Sequence, residues 1–243
     1  MWLKITNNYS PNFSKVKRPK NQIKFIIIHY TGMRSESEAI KKLRDFNSKV
    51  SAHYFIKKNG EILNLVPDLY ISWHAGISNW KELKFLNKNS IGIEIQNSGH
   101  NHNFENFSPK QINSLKKLLK SLIGAYKINY KNILGHSDIS PDRKKDPGEK
   151  FPWKKLSKNK LACWHNLDEY KLKKFRCVKI PLNDELECLK NLSKIGYYGI
   201  KLSSRNHKNK IITKAFQRKY RQSLINGKID KECFLISKNL IKQ

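Results

Sequence analysis

Along the first two thirds of the chain the spacing of apolar positions changes repeatedly, and each change marks an element. Residues 24–30 are almost continuously apolar, ending Ile26-Ile27-Ile28-His29-Tyr30, which predicts a strand buried on both faces. Gly32 permits a turn, and Ser35-Glu36-Ser37-Glu38 then predicts a capped helix with Ile40, Leu43 and Phe46 on its apolar side. Residues 51–57 and 61–66 flank Lys58-Asn59-Gly60, a hairpin signal. Residues 90–96 alternate strictly, with Ile91, Ile93 and Ile95 on one face and Gly92, Glu94 and Gln96 on the other. Ser108, Pro109 and Gln111 supply cap, first-turn proline and capping-box partner for the clearest helix. Its apolar face is Ile112, Leu115, Leu119, Leu122 and Tyr126. A short strand at 132–134 delivers Gly135-His136 into a long polar loop ending at Gly148.

Alternating strands and helices predict an α/β fold, a mixed central sheet flanked by helices, with functional groups at strand ends and in loops. Beyond residue 165 the texture changes to short helices and basic loops. Leu186, Leu189, Leu192, Phe216, Leu235 and Leu240 suit three short helices around a small core. The expected organisation is therefore 1–165, a linker at 166–180, and a small helical unit at 181–243.

Composition narrows the class. Of the 243 residues 38% are hydrophobic and 11% aromatic, enough for a packed core. The densest apolar run, Phe25-Ile26-Ile27-Ile28, falls far short of the roughly 20 residues of a membrane helix. Residues 1–20 carry no apolar stretch of the kind a secretory signal needs, so a cytoplasmic location is favoured, with periplasmic or released forms still open. Lys and Arg total 49 against 19 Asp and Glu, a net charge of +30, and such a field attracts polyanions. The charge is mostly scattered lysine in a chain also rich in Asn and Ile, as a coding bias would produce. No helix-turn-helix, zinc-finger or RNP signature accompanies it, so no specific nucleic-acid partner is expected. Cys163, Cys177, Cys188 and Cys233 form no C-x-x-C pair and read as thiols.

Four side chains carry candidate chemistry: His29, Glu94, His136 and Asp146. Catalytic zinc takes three protein ligands from His and Asp/Glu and leaves a fourth position to water. His29 and His136 each end an apolar strand. Asp146 lies ten residues past His136 in a loop punctuated by Pro141, Pro147 and Gly148, which lets it curl back. A strand-end histidine is also an ordinary solvated residue, Glu94 also reads as a solvent-facing charge, and Lys144 as one more surface lysine. Spacing alone leaves both readings open.

Residues 26–31 (Ile-Ile-Ile-His-Tyr-Thr), 50–56 (Val-Ser-Ala-His-Tyr-Phe-Ile), 72–80 (Ser-Trp-His-Ala-Gly-Ile-Ser-Asn-Trp), 89–95 and 135–148 form an ordered series of motifs. With them the chain resembles the type 2 N-acetylmuramoyl-L-alanine amidases, over most of residues 20–165. The resemblance implies one Zn2+ held by His29, His136 and Asp146, with Glu94 and Lys144 as catalytic side chains. It implies hydrolysis of the amide between N-acetylmuramic acid, or its 1,6-anhydro form, and L-alanine, so the expected partner is peptidoglycan or a muropeptide. A non-catalytic wall-binding module is the alternative; the complete ligand set weighs against it. Ala52 stands where the phage branch of the family carries a catalytic tyrosine, and Glu94 takes that part. His53 is read as structural, Trp80 and Trp153 as packing residues. Trp73 and His74 are candidate substrate-groove residues, Trp73 being equally suited to the core. Residues 189–199 and 211–230 resemble a three-helix peptidoglycan-binding domain, which argues for a wall location against the missing signal.

Overall fold

A computed structural model describes residues 4–203 and 206–243; Met1 to Leu3 of the polar N-terminal segment lie outside them. The strands are β1 (Ile5–Asn7), β2 (Phe13–Ser14), β3 (Phe25–Tyr30), β4 (Tyr54–Ile56), β5 (Ile62–Asn64), β6 (Ile71–Ser72), β7 (Asn79–Trp80), β8 (Leu83–Lys84), β9 (Ser90–Ile95) and β10 (Ile133–Gly135). The helices are α1 (Glu36–Arg44), α2 (Pro109–Tyr126), α3 (His136–Ile139), α4 (Trp153–Ser157), α5 (Glu169–Lys173), α6 (Leu182–Ile195), α7 (His207–Tyr220) and α8 (Lys231–Ile241).

A mixed six-stranded sheet in the order β1-β5-β4-β9-β3-β10 forms the centre, antiparallel only between β4 and β5. Register decides which side chains emerge together: His29 is the Cα partner of Glu94, and Gly135 of Ile28. Three parallel strands thus end side by side, and His29, Glu94 and His136 leave the sheet at one edge.

The period-2 pattern divides the sheet's two faces. Ile26, Ile28, Ile91, Ile93, Ile95 and Ile133 pack against α2 through Ile112, Leu115 and Leu119. Ser108 and Gln111 close the reciprocal capping box that starts α2, worth about 1 kcal/mol. Phe25, Ile27 and Leu134 point the other way, into a cluster shared with Leu192, Tyr197, Ile212, Phe216 and Ile236 of the C-terminal segment. The C-terminal helices therefore cover the second face of the sheet, and the 166–180 stretch is ordered around α5, with Arg176 bonded to Glu232.

Three details differ from the pattern. Phe46 does not extend the apolar face of α1: the helix stops at Arg44, Asp45 caps a new 3-10 turn, and Phe46 is exposed. The 136–148 segment is not a solvated loop, because it opens as α3 and its end is buried at Asp146–Gly148. The cause is local bonding, since Asp138 Oδ2 accepts the Gly135 N–H at 2.8 Å and Asp146 O that of Ser137 at 2.8 Å. The short strands β1, β2, β6, β7 and β8 have too few residues to show a period. Among the described residues no helix is long and apolar enough to cross a membrane.

Candidate active site

The carboxyl ends of β3, β9 and β10 open into a cleft of about 370 Å³, of the size that takes a small ligand. His29, Glu94, His136, Lys144 and Asp146 line it together, with Trp73 and His74 beside them. Three of these residues converge closely. His29 Nδ1 lies 2.9 Å from His136 Nδ1 and 3.0 Å from Asp146 Oδ2, and His136 Nδ1 lies 3.1 Å from the same oxygen. All three residues are buried.

Whether this triangle fits a metal depends on where its protons lie. His136 Nε2 is 3.2 Å from the Ala75 carbonyl oxygen, which only accepts, so a neutral His136 carries its proton on Nε2 and its Nδ1 is bare. A bare nitrogen facing a carboxylate oxygen is a set of lone pairs with one thing in common: each can donate to a cation. Ligand atoms of a tetrahedral zinc site with bonds of about 2.0 Å stand about 3.3 Å apart, close to the edges seen here. The donor set, two imidazoles and one carboxylate, fits such an ion. Burial, then the neighbouring His136, pushes His29 down to about 4, so its imidazole is neutral near pH 7.

Glu94 stands next to His29 across the β3–β9 ladder. Its Oε2 is enclosed without a hydrogen-bond partner. Burial, and next the Asp146 charge, push this carboxyl up to about 8. β9 is covered on both faces, so Glu94 is half-buried in the cleft wall and not a solvent-facing charge. Lys144 is half-buried, and its backbone N–H donates to Ser140 O at 3.0 Å.

Trp73 is half-buried in the wall, its backbone bonded in both directions to Ser51. His74 lies deeper, with Nδ1 3.1 Å from His29 Nε2 and Nε2 3.2 Å from Ser90 Oγ. His53 is fully buried away from the triangle, its Nδ1 accepting the Gly92 N–H at 3.0 Å. Trp80 and Trp153 are buried packing residues.

Pattern reasoning missed several contributors. Arg18 is buried and donates to the carbonyls of Asn87, Lys88 and Ser90, fixing the strand entry beneath the site. At the rim, Tyr30 Oη lies 2.7 Å from His100 Nδ1, and His100 Nε2 lies 3.0 Å from Glu149. None of these follows from periodicity, since each acts on a partner distant in sequence.

The chain is similar to proteins already known. The family profile described as N-acetylmuramoyl-L-alanine amidase matches residues 19–149. The N-acetylmuramoyl-L-alanine amidase AmiD of Escherichia coli K12 is 34% identical over 236 residues, covering 91% of this chain and 83% of that protein. The 1,6-anhydro-N-acetylmuramyl-L-alanine amidase AmpD of Haemophilus influenzae is 34% identical over 164 residues, covering 60% of this chain and 86% of that one. Among solved structures, E. coli AmiD in complex with the substrate anhydro-N-acetylmuramic acid-L-Ala-D-gamma-Glu-L-Lys superposes with TM-score 0.79 at 31% identity, covering 94% of this chain and 91% of that chain. AmpDh3 of Pseudomonas aeruginosa in complex with anhydromuramic pentapeptide gives 0.77 at 29% identity, covering 94% of each chain.

Proposed function

This chain belongs to the N-acetylmuramoyl-L-alanine amidase family, and from that premise we propose that it is a zinc-dependent hydrolase of the muramoyl–L-alanine amide in muropeptides. One observation carries the reading: two imidazole nitrogens and one carboxylate oxygen meet within 3.1 Å at the floor of the cleft, beside an unpartnered carboxyl. His29, His136 and Asp146 would hold the ion. Bound there, zinc would supply Lewis acidity and a water of pKa lowered toward roughly 7.

The chain's own residues do the rest. Glu94 Oε2 takes a proton from the attacking water and returns it to the departing alanine nitrogen. With a pKa of about 8 the Glu94 carboxyl is mostly protonated at pH 7, and the positive charge of a neighbouring divalent ion would draw it down into working range. The Lys144 ammonium faces the carbonyl oxygen as it gains negative charge. Trp73 offers an aromatic face to the sugar. His74 belongs to the layer beneath the groove, because both its ring nitrogens are already engaged.

Anhydro-muropeptides are the substrate form this reading favours, supported by the ligands bound to the two similar structures. Residues 1–165 would form the catalytic part, 166–180 the connection, and 181–243 a part that docks polymeric wall. The test is product analysis on purified anhydro-muropeptides and on intact sacculi, with and without chelator. Release of free peptide stems that stops on chelation and returns with zinc is expected. Binding to either substrate without turnover would overturn the assignment.

A further inference from the structure

The hydrogen atoms around His29 can be placed by tracing acceptors inward from a group that has no choice. The Leu86 carbonyl oxygen only accepts, and it takes the Ser90 hydroxyl hydrogen at 2.6 Å. Ser90 Oγ has no second hydrogen, so towards His74 Nε2, 3.2 Å away, it accepts and His74 donates. A neutral His74 that donates from Nε2 has a bare Nδ1. That nitrogen accepts from His29 Nε2 at 3.1 Å. The last link leaves His29 Nδ1 bare, aimed at His136 Nδ1 and Asp146.

Ala75, the next residue, does the same for the other ligand by accepting from His136 Nε2 at 3.2 Å. Adjacent residues thus fix both imidazoles, one by side chain and one by carbonyl. The pair is itself clamped. Asn87 Oδ1 accepts both backbone N–H groups, from His74 at 3.1 Å and from Ala75 at 2.7 Å. Space is reserved for the ring as well: a Cβ at Gly92 would stand 2.4 Å from His74 Cγ, so only glycine admits the imidazole over β9.

We propose that the His74–Ala75 dipeptide, clamped by Asn87 and seated on Ser90, is a positioning device that presents both bare Nδ1 atoms to the metal. His74 is a positioning residue in this scheme, acting through His29 and touching no substrate. The inference rests on the zinc reading above, and it goes further by assigning ligand preorganisation to residues outside the triangle. Partners of this kind set ring orientation and ligand basicity, and losing one costs about 10- to 100-fold in metal affinity.

Zinc affinity, measured by competition with a chromogenic chelator, separates the possibilities. His74→Leu removes the acceptor for His29 Nε2–H and is expected to weaken zinc binding by about 10- to 100-fold. His74→Gln supplies a carbonyl acceptor at the same place and is expected to recover most of that loss. Ser90→Ala frees the His74 tautomer without touching either ring, and is expected to lower affinity by a smaller factor. It also serves if His74→Leu does not fold, as judged by thermal unfolding of the metal-free protein. In zinc-loaded wild type, long-range proton–nitrogen spectra are expected to show His74 protonated at Nε2. Wild type that binds zinc, with His74→Leu binding equally tightly, or with Leu and Gln variants equally impaired, overturns this inference alone. So does a proton on His74 Nδ1. Wild type that binds no zinc overturns the metal reading, and this inference with it.

Discussion

Two regions of this molecule treat their buried polar groups in opposite ways. In the C-terminal helices every buried charge of the main ion networks faces its opposite. Lys219 Nζ lies 3.0 Å from Asp138 Oδ2 and 3.1 Å from Ile133 O, while Tyr197 donates to Asp138 Oδ1 at 2.8 Å. Arg221 pairs with Asp230, and Arg176 with Glu232 at 2.7 Å. At the ends of β3, β9 and β10 the arrangement is reversed. Lone pairs of His29, His136 and Asp146 face one another, and Glu94 Oε2 faces none. The buried ions that tie down the C-terminal helices bring their partners with them. A group that serves chemistry leaves its partner's place open, and the surrounding fold holds it there against its own preference.

The comparison can be broken at several points. His136→Ala removes a metal ligand but no structural charge pair. It is expected to lower the rate by about ten-thousandfold, several kcal/mol of transition-state stabilisation, out of proportion to the smaller cost of losing its Ala75 hydrogen bond in the metal-free protein. Turnover assays with zinc in excess, alongside thermal melts, check both halves.

Glu94→Gln is expected to lower kcat by about 10²- to 10⁴-fold. Its effect on the metal-free fold has the opposite sign. With the folded carboxyl at about 8 against an ordinary value of 4.5, the native state holds a proton that the unfolded chain has lost between those values. The Glu94 contribution to the stability of the metal-free protein therefore falls as pH rises from about 5 to 8, on the order of a few kcal/mol. Glu94→Gln is expected to be the more stable protein at pH 8, with the difference vanishing near pH 4. Denaturant titrations of both proteins at the two pH values decide it; a wild type that gains stability relative to Glu94→Gln over that window contradicts the sign.

Lys219→Met leaves Asp138 charged, buried and without its cation. A loss of about 3 to 5 kcal/mol is expected in equilibrium unfolding, larger than for any exposed lysine. Tyr197→Phe removes one hydrogen bond to the same carboxylate and is expected to cost about 1.5 to 3 kcal/mol. If either variant lost activity without losing stability, the division between the regions would not hold.

How much of this is legible in the sequence depends on the range of each interaction. The buried strand at Phe25–Tyr30, the alternating strand at Ser90–Ile95 and the capped helix at Pro109–Tyr126 are local patterns, and they appear where periodicity predicts them. Phe46 departs from its predicted face because a single aspartate, Asp45, ends one helix and begins another turn. The ligand trio is visible as residue types at strand ends, but its convergence depends on the β10–β3–β9 register, which no window of sequence contains. The Lys219–Asp138 tie joins residues 81 positions apart. Lys219 reads as one basic residue among 49 Lys and Arg, and nothing near it signals burial. The same holds for the shared apolar cluster under the C-terminal helices: Leu192 and Phe216 are plainly core residues, but their spacing does not say which surface they cover.

Zinc content measured against activity tests the central claim most directly. Metal analysis of the purified, active protein, paired with turnover of an anhydro-muropeptide, is expected to give one zinc per chain. The expected companion results are activity that tracks zinc occupancy through chelation and reconstitution, and His136→Ala retaining neither. Full turnover by protein stripped of zinc would contradict the account.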